Sequence, residues 1–188
     1  MEKTGNKPSV HLKNKHTDDL IDHYWGSISY VSSLIKASEI KAGLILSFYG
    51  ILLNFVYQNI NLVLNQFSDN TITYLLLVFW FGCVVISIYY GIRCFMPRIE
   101  SKYEKNIFFF GDVITKFGDI KEFSRTFFSI SVDEDQLFDQ LGQQIFINAK
   151  IANLKFRNVQ KALKFLAIQF ILLLIIVIYY VLATFIQL

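Results

Sequence analysis

Four cations near the end of the chain, Lys150, Arg157, Lys161 and Lys164, differ by seven, four and three residues, which at about 100° per residue puts them on one helix face. Beside a greasy segment, such a stripe usually snorkels toward lipid headgroups. The alternative is that some of its members turn inward and hold an anionic ligand. Lys155, on the opposite face of the same helix, is the better candidate for that task. Covalent chemistry has little support: no HExxH, GxSxG, Walker A, GxGxxG or paired-carboxylate pattern is present, so an enzyme is not expected. His16 and His23 share a helix face, but two solvated histidines explain them, and His11, better than a metal does. Cys83 and Cys94 have neither zinc spacing nor a disulfide framework and read as small packing residues.

The elements that carry these residues follow from composition. Of 188 residues, 54% are hydrophobic, which points to a membrane protein, and a net charge of +3 is too balanced to suggest nucleic-acid binding. Three segments approach the roughly 20 apolar residues that a helix needs to cross the hydrocarbon layer. They are residues 42–60, interrupted by Asn54 and Gln58, residues 71–92, uncharged and stopped by Pro97, and residues 165–186. Residues 1–41 hold six lysines and residues 93–164 the other twelve cations, whereas the loop at 61–70 and the tail after Ile186 hold none. Because Lys and Arg are retained on the cytoplasmic side, the N-terminus and the 93–164 module are expected inside, the loop and the C-terminus outside.

Two long helices are expected to rise from the membrane. After a disordered cytoplasmic tail at 1–16, Thr17 is a candidate N-cap for a helix over 17–41, with Leu20, Tyr24, Ile28, Val31 and Ile35 on its apolar face, running straight into the first span. At the other end "SVDE" offers a capping box of Ser131 and Glu134. Beyond it Leu137, Leu141, Ile145, Ala149, Ala152, Phe156, Val159 and Leu163 form a stripe that predicts one helix of roughly 55 residues to the end of the chain. The fold class is therefore an all-α membrane protein: three transmembrane helices, long cytoplasmic helical extensions and a small cytoplasmic module between spans two and three.

Inside that module lies "NIFFFGDVI", residues 106–114, greasy yet less than half a span in length. It reads as a short extended or turn segment whose Phe108, Phe109 and Phe110 wedge between helices, with Gly111 supplying a backbone geometry that other residues resist and Asp112 capping the next helix.

The order of these pieces, "LIKASEIKAGLIL" entering the first span, "PR" ending the second, then "NIFFFGDV", a capped helix and "IANLKFRNVQKAL" feeding the last span, resembles the transmembrane effector family of the bacterial Pycsar anti-phage systems over residues 25–187. The resemblance implies an effector that senses a cyclic pyrimidine mononucleotide, cUMP or cCMP, made by a companion cyclase. On sensing it, the effector impairs the inner membrane and stops growth; because three spans are too few to act alone, a homo-oligomer is expected. The family pattern falls on Lys36, Glu39, Lys41, Gly43, Pro97, Arg98, Phe110, Gly111, Asp112 and Lys155. Such a ligand needs a cation for its phosphate, an acceptor for its ribose hydroxyl and a flat apolar surface for its base. Arg98 or Lys155, Asp112 or Glu39, and Phe110 or Tyr103 are the candidates, with Lys41 and Gly111 beside them. Two other readings compete: a small channel or transporter subunit, and a membrane-anchored scaffold.

Overall fold

The computed structural model describes residues 15–61, 71–96 and 104–186, and among these every regular element is a helix. α1 is Lys15–Gln58, α2 Thr71–Phe95, α3 Phe110–Thr115, α4 Ile120–Val132 and α5 Glu134–Ile186. α1, α2 and α5 each contain a stretch long and apolar enough to cross a membrane. Most of the expected tail and outer loop, Pro97, Arg98 and Tyr103 lie outside the described residues. The chain divides into two compact units, Met1–Tyr30 with Tyr103–Phe146, and Val31–Lys102 with Ile147–Leu188.

In the first unit the stretch before α3 is a turn knotted by hydrogen bonds. Asn106 is fully buried; its Nδ2 donates to the Gln140 carbonyl at 2.7 Å and its Oδ1 accepts from Phe108 N–H at 2.9 Å. The N–H groups of Asn106 and Ile107 donate to Asp112 Oδ2 and Gln140 Oε1, both at 3.0 Å. Asp112 also pairs with Lys116 at 2.9 Å. Phe109 N–H reaches the Asn106 carbonyl at 3.2 Å, while the N–H groups of Asn106, Ile107 and Phe108 take side-chain partners, which Asn106, Asp112 and Gln140 supply.

The phenylalanine wedge is only partly realised. Phe108 packs edge-on against Trp25 and Phe127, at ring distances of 5.5 and 6.0 Å, whereas Phe110, the first residue of α3, is 81% exposed. Gly111 has ordinary helical backbone. It matters for space instead: a Cβ there would lie 2.9 Å from the Phe109 ring. Asp112 does not cap the next helix but lies in the first turn of α3, whose N-cap is Phe109, and the chain turns at Gly118, which takes a φ of +66° that side chains resist, before Asp119 caps α4 by accepting from Glu122 N–H at 2.7 Å.

Two predicted caps also move. α1 is already helical at Lys15, and the Thr17 hydroxyl donates to Glu134 instead of capping. Ser131 belongs to α4 and bonds back to the Phe127 carbonyl. The cap of α5 is Asp133, two residues later than expected, which accepts from Gln136 N–H at 3.1 Å and from the Gln136 side-chain amide at 2.7 Å, while its own N–H bonds the Ile130 carbonyl.

In the second unit α1, α2 and α5 pack around Ile45, Tyr49, Trp80, Val84, Ala162 and Ile176. Small residues, Ala42, Ser87, Cys94 and Ala162, are fully buried and let the helices approach closely. Polar side chains cross the seam: Ser87 Oγ donates to the Ala162 carbonyl at 2.8 Å and Tyr49 OH to Gln169 Oε1 at 3.0 Å. The outward surface, including Leu44, Ile51, Phe55, Phe79, Ile171 and Leu174, is apolar. Trp80 Nε1 is buried in this core without a partner among the described residues, whereas Ser87 and Tyr49 are paired across the seam, and the greasy outer face suits a hydrocarbon solvent.

Candidate functional site

The expected apolar stripe on α5 is realised in part: Leu141, Ala152 and Val159 are buried. Phe156 and Leu163 are 48% and 43% exposed, and Gln144, Asn148 and Gln169 are buried. Lys155, whose side chain is only 12% exposed, occupies the seam beside them. Its Nζ donates to Glu39 Oε1 of α1 at 2.6 Å and to the Cys94 carbonyl of α2 at 2.9 Å. A cation is well placed there, because the last carbonyls of a helix lack intrahelical partners and carry the negative end of its dipole. Asn158, one turn on, donates to the neighbouring Arg93 carbonyl at 3.4 Å, and Cys94 Sγ contacts the Ser38 carbonyl at 3.7 Å. One lysine thus ties three helices around the tight Ala42, Cys94 and Val159 cluster.

Two cavities flank α5 on either side of this tie. The larger, about 370 Å³, lies between α1 and α5; Val31, Leu34 and Phe156 form apolar walls, and Lys41, Ser38 and Asn153 bring polar groups to it. Its volume falls within the roughly 300–1,000 Å³ usual for small-molecule sites. The smaller, about 190 Å³, lies between the end of α2 and α5, with Arg93, Lys155, Arg157, Lys161 and Asn158 in its lining. Among the described residues, no carboxylate lines either cavity.

A family model described as a Pycsar effector protein domain, PycTM, matches residues 23–183. The chain belongs to this family. Pycsar effectors of this transmembrane type act in anti-phage defence, generally without enzymatic activity, and are activated by cyclic nucleotides. The Pycsar effector protein SaPycTM of Staphylococcus aureus is 27% identical over 135 residues, covering 71% of this chain and 78% of that protein. No solved structure matches.

Among the candidate residues of this Pycsar effector, Glu39, Lys41 and Lys155 fall in the second unit, and Phe110, Gly111 and Asp112 in the first. Lys155 and Glu39 meet directly, Lys41 lines the larger cavity, and Asp112 is spent on Asn106 and Lys116. Asn153, Asn158 and Arg93 were missed as site residues, and Phe156 was assigned to packing. The signal was there in the spacing: Gln144, Asn148, Lys155 and Gln169 are separated by four, seven and fourteen residues, a helical seam written in polar residues.

Proposed function

We propose that this effector binds a cyclic pyrimidine mononucleotide, cUMP or cCMP, on the cytoplasmic side and then disrupts the bacterial inner membrane, arresting growth before phage matures. The observation that carries the reading is the 370 Å³ cavity beside Lys41. Lys41 offers a charge for the single phosphate, Phe156 a face for the base, and the Asn153 amide both a donor and an acceptor for a pyrimidine edge. Glu39 and Lys155 support this site as the tie between helices, and Arg98 stays a candidate from the sequence alone. Asp112, Phe110 and Gly111 serve the other unit.

A ligand wedged against both α1 and α5 shifts the protein only as far as it prefers the leaky arrangement over the closed one. Three spans enclose little by themselves, so the leak is formed by several copies, and the signal comes from a companion pyrimidine cyclase.

The test is the thermal midpoint of the purified protein in detergent with cUMP, cCMP and, as control, cAMP. A ligand at 100 times its Kd adds about 2.7 kcal/mol of stability. A shift with one pyrimidine, lost in Lys41→Ala and Phe156→Ala, is expected. No shift with either pyrimidine overturns the reading. Ion leakage from liposomes without nucleotide would then favour a constitutive channel, and neither leakage nor binding a scaffold.

A further inference from the structure

The smaller cavity carries a separate assignment, independent of the nucleotide reading. Among the described residues its lining holds four cations and no carboxylate, and of these cations only Lys155 has an anionic partner, Glu39. Arg93 donates to Tyr89 OH at 3.2 Å and stands 5.9 Å over that ring, while Lys161 stands 5.0 Å over the Tyr90 ring. The two rings pack on each other at 5.4 Å, so adjacent aromatics hold two cations in place before any ligand arrives. Arg157 has no partner among the described residues. Two of the carbonyls at the end of α2 that would repel an anion, those of Cys94 and Arg93, are already taken by Lys155 and Asn158.

We propose that this cleft binds the phosphate of an anionic phospholipid headgroup. Its place along the sequence selects the lipid. Arg93 is the first charge after the uncharged stretch 71–92, and Lys161 and Lys164 are the last charges before 165–186. The cleft therefore sits where both helices change from polar to greasy, the depth at which headgroups lie and at which basic pockets between helices bind them. The aromatic pair at that boundary suits the interface, and the apolar outer faces of both helices offer a path for acyl chains. At about 190 Å³ the cleft accommodates a phosphate group more readily than a whole nucleotide.

The experiment compares phosphatidylglycerol with phosphatidylcholine added to the full chain in mild detergent, following lipid retention by native mass spectrometry and the thermal midpoint. Phosphatidylglycerol should be retained and should stabilise, and Arg157→Gln/Lys161→Gln should weaken its binding about 30-fold, at about fivefold per cation. A control pair on α4, Lys121→Gln/Arg125→Gln, and the charge-keeping pair Arg157→Lys/Lys161→Arg should bind as the parent does. Equal retention of both lipids, or parental affinity in the glutamine pair, overturns the proposal. Inorganic phosphate or cUMP that displaces the lipid and stabilises the parent but not the glutamine pair would assign the cleft to a soluble anion and overturn the lipid as its occupant. The pyrimidine response through Lys41 should persist in the glutamine pair, which separates failure of this proposal from failure of the nucleotide reading.

Discussion

Replacing Lys155 by methionine removes the cation that joins three helices while keeping most of its apolar stem. The bond to Glu39 is charge-assisted, for which about 1.5–3 kcal/mol is usual, but the Glu39 side chain is 38% exposed and regains water when abandoned. That loss is therefore set at about 1 kcal/mol. The Cys94 carbonyl belongs to a fully buried residue and, once orphaned, costs about 1–2 kcal/mol. The sum, about 2–3 kcal/mol, corresponds to a fall in thermal midpoint of about 5–10 °C for a chain of this length. Glu39→Gln should cost only about 1 kcal/mol, since Lys155 keeps its carbonyl partner. In the double variant the two losses should overlap by about 1 kcal/mol, because the shared bond is removed only once. Unfolding in mixed micelles, followed by circular dichroism, reads all three differences. Strict additivity, or a Lys155→Met variant as stable as the parent, would refute the idea that this lysine ties the helices.

Two further expectations test the local devices. Gly118→Ala forces a side chain into a left-handed backbone and against the Glu122 carboxylate, and should destabilise by more than about 1 kcal/mol, with amide exchange rising first around residues 116–123. Tyr49→Phe should cost about 0.6–1.7 kcal/mol by leaving Gln169 unpaired in the seam, and adding Gln169→Leu should recover much of that loss. If the double variant is no more stable than Tyr49→Phe alone, the bond is not what makes Gln169 tolerable there.

Much of the architecture is legible in the sequence because it depends on local averages. A run such as 71–92 holds too much apolar surface to be anything but a buried or lipid-facing helix. The continuous α5 follows from the absence of proline over 134–186. The order of "KASEIKAG", "PR" and "FFFGD" was enough to point to the family. Cap positions slipped by a few residues because Ser131, Asp133 and Thr17 all have side chains able to cap, and the choice among them rests on fractions of a kcal/mol.

What only the tertiary structure decided is which partner each polar group meets. In "NIFFFGDVI" the phenylalanines drew attention, yet Asn106 and Asp112 hold the turn, because a buried backbone needs hydrogen bonds more than it needs further apolar surface. On α5 hydrophobic periodicity assigned Phe156 to the inside, and Lys155 was expected to hold an anionic ligand. The seam instead admits the lysine, because Glu39 and the end of α2 come within 3 Å of its ammonium. A helix pattern records the preferences of one surface; a buried charge becomes acceptable only when a second and third helix supply its partners, and their approach is not written in the sequence of the first.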